Sequence, residues 1–269
     1  MDYYAKDSNI ILRQSDFDLA QTLDCGQAFR WKNCGDYWQG FCLDKPLEIS
    51  QNGDIFTFHN TTEQDFLEIW ANYFDLYYDY GELKSRFSQT CPILKLACSE
   101  CGGIRILRQN FWETLVSFIF SQQNNIPRIK KIIQALCDMF GEFPDAQTLS
   151  SCSAEDLEPL RSGFRAKYIL DAARLVSSGK ITAESLTDMS TEEAKKALMQ
   201  IKGVGPKVAS CVLLFSVHKT DAFPVDVWMD RILREHYPEG FPKSLSDTGG
   251  IAQQYLFHYF RQKALSVKA

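Results

Sequence analysis

Two hydrophobic periodicities divide the chain. Over residues 1–104, short runs of β-forming residues alternate or cluster between turn signals. Examples are Ala28-Phe29-Arg30-Trp31, Tyr37-Trp38-Gln39-Gly40-Phe41 and Ile55-Phe56-Thr57-Phe58, with Asn52-Gly53-Asp54 as a turn. This pattern predicts a small, largely antiparallel sheet with one or two helices, the clearest near 63–79. From about residue 105 the period becomes helical. Leu115, Phe118 and Ile119 share one apolar face; Ile129, Ile132, Ile133 and Leu136 share the next, after Pro127, which a first helical turn tolerates. Similar faces follow at 166–177, 191–200, 206–217, 227–235 and 249–262. Gly141, Gly179 and Gly203 stand where C-cap glycines end helices. The expected class is α+β: an N-terminal antiparallel sheet domain (1–104) followed by an all-α domain (105–269).

Composition narrows the class. A chain of 269 residues, 45% hydrophobic, can bury one large or two modest cores. Aromatic content of 13% and the lack of long polar tracts exclude disorder. No uncharged apolar run reaches about 18 residues, so no membrane span is predicted. The start, Met1 to Asp7, lacks the basic and apolar regions of a signal peptide. The expectation is an intracellular protein, cytoplasmic or at the nucleoid in a bacterium and nuclear in a eukaryote. The nine cysteines are then expected as reduced thiols. Cys91, Cys98 and Cys101 are spaced like the start of an iron–sulfur ligand signature, but the fourth position holds Leu107, and such a cluster takes four thiolates. No metal and no cofactor are predicted.

Net charge is −5, which alone argues weakly against a nucleic-acid partner. The average hides clusters: Arg105, Arg108, Arg128, Lys130 and Lys131, then Arg161, Arg165 and Lys167. A local basic face is enough to engage phosphates.

The run Ile201-Lys202-Gly203-Val204-Gly205-Pro206-Lys207 carries the chemistry. One helix ends before Gly-Val-Gly, and Pro206 opens the next. Two glycines permit positive φ and close backbone approach. The new helix N-terminus offers unpaired N–H groups to a phosphate. This is a helix-hairpin-helix pattern, which grips a DNA backbone without reading sequence; an ordinary helix connection is the plain alternative. Lys207 sits in the first turn, where a cation opposes the helix dipole. A neutral amine there can attack a sugar C1′ and form a Schiff base. Nineteen residues on, Pro224-Val225-Asp226 precedes an amphipathic helix. Asp226 suits an N-cap, and a carboxylate can also stabilise oxocarbenium-like charge.

Gly203 to Lys207, followed by Pro224-Val225-Asp226-Val227, resembles the helix-hairpin-helix, Gly/Pro-rich loop, Asp signature of DNA glycosylases. Within that superfamily the chain most resembles the 8-oxoguanine DNA glycosylase/lyases, over roughly residues 10–260. The resemblance implies a bifunctional enzyme that excises 8-oxoguanine from duplex DNA, preferably opposite cytosine, and nicks the strand by β-elimination. It assigns Lys207 as nucleophile and Asp226 as carboxylate partner. Gly26, within Cys25-Gly26-Gln27-Ala28-Phe29-Arg30-Trp31, matches a carbonyl that accepts from the N7–H that 8-oxoguanine has and guanine lacks. Cys211 and Phe257 match groups on opposite faces of the base, and Gln253 matches the amide on its Watson–Crick edge. Gln123, Asn124, Asn125 and Arg128 resemble a gap-filling loop; Phe164 and Arg165 resemble a second loop, and the two arginines match contacts to the opposite cytosine. Gly203, Val204, Gly205 and Trp228 match contacts to the DNA backbone. The hairpin carbonyls at Met199, Ile201 and Val204 match a monovalent-cation site. The implied partner is duplex DNA, with no membrane and a monomeric chain.

Four positions depart from the family pattern. Gln123 stands for an asparagine, Phe164 for a tyrosine, Trp228 for a phosphate-contacting histidine and Lys202 for a proline. The expectation is the same reaction with a looser opposite-base preference. Two rivals remain: a non-catalytic DNA-binding module in which Lys207 only contacts phosphate, and the same fold acting on another lesion, such as an alkylated purine.

Overall fold

The computed structural model describes residues 1–266, with side chains described to residue 264. The chain divides into two compact units: Met1–Gln27, Trp31–Arg108 and the chain from Val225 onward form the first; Ala28–Arg30 and Gln109–Pro224 form the second. Periodicity divided the chain after residue 104. Packing instead divides it at 108 and returns the C-terminal helices to the sheet-bearing unit. The cause lies in the last helix, Gly249–Ser266, where buried Tyr255 donates to the Ile104 carbonyl (2.9 Å) and meets Phe87 edge-on. Local periodicity carries no trace of a contact 151 positions apart.

In the first unit six antiparallel strands, β1 (Asp2–Lys6), β2 (Asn9–Arg13), β3 (Lys32–Asn33), β4 (Trp38–Cys42), β5 (Lys45–Asn52) and β6 (Ile55–His59), form one sheet in the order β1-β2-β6-β5-β4-β3. The period of two buries Ile10 and Leu12, Leu47 and Ile49, and Phe56 and Phe58. Register sets Leu12 opposite Phe56 and Ile49 opposite Phe58. Burying each such side chain contributes about 1.5–3 kcal/mol. Trp31 lies so close to β4 that a Cβ at Gly40 would fall 2.3 Å from its indole, and its Nε1 donates to the Tyr73 hydroxyl at 2.7 Å.

The helix expected over 63–79 is shorter. Glu63–Asp65 passes through a π-helical turn, Phe66–Trp70, into Ala71–Tyr73 and stops. Fully buried Arg105 explains the stop. Its guanidinium donates to the carbonyls of Phe74 (3.1 Å), Asp75 (2.7 Å), Tyr78 (2.9 Å) and Asp16 (3.2 Å). Asp75 takes φ +53°, outside the right-handed helical region, and its carbonyl also accepts from the Tyr78 N–H at 3.3 Å. The expected basic face loses two members as a result. Arg105 is internal, and Arg108 pairs with buried Asp75 at 2.8 Å, which leaves Arg128 and Lys131 as exposed cations of that cluster.

In the second unit the Phe111–Ser121 helix is buried nearly all round, through Leu115, Val116, Phe118, Ile119 and Phe120. Ile126–Phe140 packs one stripe, Ile129, Ile132, Ile133 and Leu136, and ends at Gly141 with φ +83°. Arg165–Ser177, Thr191–Leu198 and Pro206–Phe215 follow, the second opened by a Ser190–Glu193 capping box.

Among the described residues there is no group of three or more His, Cys, Asp or Glu that could hold a metal ion. Burial pushes the Cys98 and Cys101 thiols up to about 12 and about 11. Among the described residues no helix is long and apolar enough to cross a membrane.

Candidate active site

The second unit builds the hairpin. Thr191–Leu198 ends in tight turns, with Ile201 N–H donating to Leu198 C=O (3.1 Å) and Val204 N–H to Ile201 C=O (3.0 Å). The Asp171 carboxylate accepts from the Lys202 N–H at 2.7 Å and ties the hairpin to the Arg165–Ser177 helix. Gly203 has φ +79°, and a Cβ there would lie 2.3 Å from the Tyr168 ring. Gly205 is extended (φ −100°) and faces open space. It caps the Pro206–Phe215 helix without a side-chain bond. The helix therefore offers its first-turn N–H groups to an anion at a place where backbone can approach closely. Oxygen-only carbonyls at Met199, Ile201 and Val204 are the donor type a hard cation takes. The Ile201 oxygen already accepts from the Val204 N–H and keeps a second lone pair.

Lys207 follows Pro206 and is half-buried. Its Nζ sits 5.1 Å from the centre of the Phe118 ring. Phe118 is itself fixed, stacked on Phe215 at 5.4 Å and met edge-on by Phe29 at 5.7 Å. Cys211, one turn after Lys207, is buried.

A second cluster forms around residues 121–125. Gln123 has φ +47°. Asn124 Nδ2 donates to the Phe120 carbonyl (3.1 Å), and Asn125 caps the next helix by accepting from the Arg128 N–H (3.0 Å). Gln123, Asn125 and Arg128 are exposed. Arg165 is not: it is 6% exposed and turned inward. Its Nε donates to Gln122 C=O (2.9 Å), one terminal nitrogen to Ser162 C=O (3.1 Å), and the other to the carbonyls of Gln122 and Gln123. Phe164 is 45% exposed, with the Arg165 guanidinium 4.5 Å from its ring.

The first unit carries the remaining candidates. Gly26 has φ +94°. Its turn is pinned by buried Gln27, whose Nε2 donates to Thr22 C=O (2.9 Å) and Arg105 C=O (2.8 Å) and whose Oε1 accepts from Leu107 N–H (2.9 Å). The Gly26 carbonyl thus belongs to a rigid turn. Asp226 caps the Val227–His236 helix, with Oδ1 accepting from the Met229 N–H at 2.7 Å. The bland role and the chemical one are compatible: capping uses one oxygen and fixes the rotamer of a carboxylate at a helix N-terminus. Trp228 is partly exposed two residues on. Gln253 and Phe257 lie one turn apart on Gly249–Ser266, the former buried and the latter half-buried.

Some residues that shape the site escaped sequence reasoning. Phe118 was legible as one member of an apolar face, and no local signal marked Tyr168 or Asp171 as supports of the hairpin. Gln254 drew no notice, although two adjacent glutamines in the mostly apolar run Ile251–Phe257 are a usable signal.

A hairpin, a lysine in the following first turn and an Asp cap after Pro-Val define a helix-hairpin-helix DNA glycosylase. Residues 116–243 match the family described as HhH-GPD superfamily base excision DNA repair protein, and residues 9–115 match the 8-oxoguanine DNA glycosylase N-terminal domain. The N-glycosylase/DNA lyase of Saccharomyces cerevisiae is 31% identical over 272 residues, covering 86% of this chain and 71% of the yeast protein. A solved structure of MBOgg1 with a low-affinity DNA ligand superposes with a TM-score of 0.91 at 42% identity, covering 98% of this chain and 100% of the other. The 8-oxoguanine glycosylase/lyase of Clostridium acetobutylicum, solved with double-stranded DNA containing cytosine opposite 8-oxoG, gives 0.90 at 34% identity, covering 98% and 99%. The chain belongs to the 8-oxoguanine DNA glycosylase/lyase family, and is a DNA N-glycosylase/lyase of base excision repair.

Proposed function

We propose that the enzyme excises 8-oxoguanine from duplex DNA, preferably opposite cytosine, through a Schiff base on Lys207, and then nicks the abasic site. The observation that carries this reading is the Lys207 amine, held over Phe118 in the first turn after the hairpin. The damaged nucleotide is flipped out at a cost of a few kcal/mol. Asn124, Asn125 and Phe164 fill the gap, with Gln123 and Arg128 beside them. Cys211 and Phe257 face the two sides of the base, the Gly26 carbonyl accepts from N7–H, and Gln253 reads the Watson–Crick edge. Gly203, Val204, Gly205 and Trp228 hold backbone phosphates. A hard monovalent cation on the carbonyls of Met199, Ile201 and Val204 would add positive charge beside a phosphate.

The nitrogen of Lys207 bonds C1′ as the C1′–N9 bond breaks, and the base leaves with that electron pair. Asp226 stabilises the positive charge that develops on the sugar. Loss of the amine protons and opening of the sugar ring give the Schiff base. Removal of a C2′ proton then expels the 3′ phosphate.

Wild type and Lys207→Gln are incubated with a duplex containing one 8-oxoguanine opposite cytosine, with and without borohydride. A trapped adduct and a nicked strand from wild type alone are expected. Binding without trapping by either protein would leave a non-catalytic module or another lesion. Repeating the assay with each base opposite the lesion tests the cytosine preference.

A further inference from the structure

The Gly249–Ser266 helix carries a polar stripe, buried at Gln254 and His258, that nothing above uses. Gln254, His258 and Gln262 are spaced four apart, so they share one face. Gln254 and His258 are only 5% and 7% exposed. Gln262 Nε2 lies 2.8 Å from His258 Nε2. An amide nitrogen only donates, so His258 Nε2 accepts, and the proton of the neutral ring resides on Nδ1. Burial pushes the His258 pKa down, which favours that neutral ring. At the other end Gln254 Nε2 donates to Gln253 Oε1 at 2.8 Å. Between them, His258 Nδ1 and Gln254 Oε1 are both buried without a partner among the described residues. One is a donor and the other an acceptor, on successive turns of one stripe. Bound water is the ordinary partner of such atoms. The two direct hydrogen bonds both run towards the start of the helix, from Gln262 to His258 and from Gln254 to Gln253.

We propose that Gln254 is a positioning residue that fixes which end of the Gln253 amide reads the lesion, and so selects a guanine-type over an adenine-type edge. The inference rests on the assignment of Gln253 to base recognition. With Gln254 donating to Oε1, flipping the Gln253 amide would set two NH2 groups against each other. The fixed amide keeps one lone pair on Oε1 for a ring N1–H and directs Nε2 to an O6 acceptor. That pattern is the one guanine presents. Adenine presents the reverse, an amino donor beside a bare N1, and requires the flipped amide.

The test is a double-mutant cycle on single-turnover excision, using duplexes with 8-oxoguanine or 8-oxoadenine opposite the same base. Gln254→Met is expected to slow 8-oxoguanine excision about five-fold, the scale of one hydrogen bond. Its affinity for an abasic-site duplex should stay at the wild-type value, and its 8-oxoguanine to 8-oxoadenine ratio should fall. In a Gln253→Ala background the same substitution should change nothing. An equal loss in both backgrounds overturns the proposal, because Gln254 then acts only on the fold. So does a Gln254→Met enzyme with wild-type rate and ratio while Gln253→Ala is impaired. An unimpaired Gln253→Ala enzyme instead overturns the assignment of Gln253 itself. If Gln254→Met fails to fold, His258→Leu removes the upstream donor and is read by the same cycle.

Discussion

The amine of Lys207 rests 5.1 Å from the centre of the Phe118 ring, and both residues belong to helices of the second unit. Phe118 is packed from two sides by Phe29 and Phe215, so its face is a fixed platform. The ring thereby narrows the conformations of a long side chain that must attack from one direction. Phe118→Leu should slow borohydride-trappable adduct formation about two- to five-fold while leaving affinity for abasic-site duplex unchanged. A wild-type rate in the folded variant would reduce Phe118 to packing alone.

Arg165 predicts a different phenotype from an exposed base-reading arginine. Its guanidinium holds the carbonyls of Ser162, Gln122 and Gln123, the last a residue at positive φ. Lysine keeps the charge but lacks the planar fork. Arg165→Lys should therefore lose about 1–3 kcal/mol of stability and speed hydrogen exchange at backbone amides of residues 121–125. Discrimination among opposite bases should weaken with it. Unchanged exchange in that loop would sink the strut role and leave direct contact with DNA as its function.

Gly203 and Gly205 separate fold from contact. Gly203→Ala meets both a positive φ and the Tyr168 ring 2.3 Å away, so it should lower the melting temperature by the equivalent of at least about 1 kcal/mol. Gly205→Ala meets neither, since its Cβ would enter open space. It should melt like wild type yet bind duplex more weakly, with a shallower salt dependence. Equal melting temperatures for the two variants would contradict the assignment of Gly203 to the fold.

The local signals carried the fold far. Alternation in β5 and β6, the Asn52-Gly53 turn and the helix ends at Gly141 and Gly179 follow from nearest-neighbour chemistry, whereas the helix expected to end at Gly203 stops at Leu198. Gly203 to Lys207 was legible because one short run holds a turn, a helix start and a nucleophile. What stayed hidden needed partners distant in sequence. Arg105 looked like a surface cation until its four carbonyl partners took it inside. The backbone contacts of Arg165 stayed hidden for the same reason. The place of the last helix depended on Tyr255 meeting Ile104, and the platform under Lys207 on two helices crossing.

His258 gives the stability a defined acid branch. Burial, then the nearby positive charge of Arg261, lower its pKa, while Asp24 and Asp18 oppose the shift more weakly. The folded state thus prefers the neutral ring, and the unfolded chain takes its proton at the ordinary histidine value of 6.5. Below that pH the unfolded state binds a proton that the folded state resists, so stability falls as pH falls. The loss begins near 6.5 and runs down to the lowered folded value; above 6.5 the contribution is complete. Protonation would also put an N–H on Nε2 against the Gln262 amide, now 2.8 Å away. Melting temperatures of wild type and His258→Gln, taken from about pH 7.5 to about pH 5, should diverge only below that point, with the wild type falling more steeply. Parallel curves across the range would show that His258 keeps its ordinary titration in the fold.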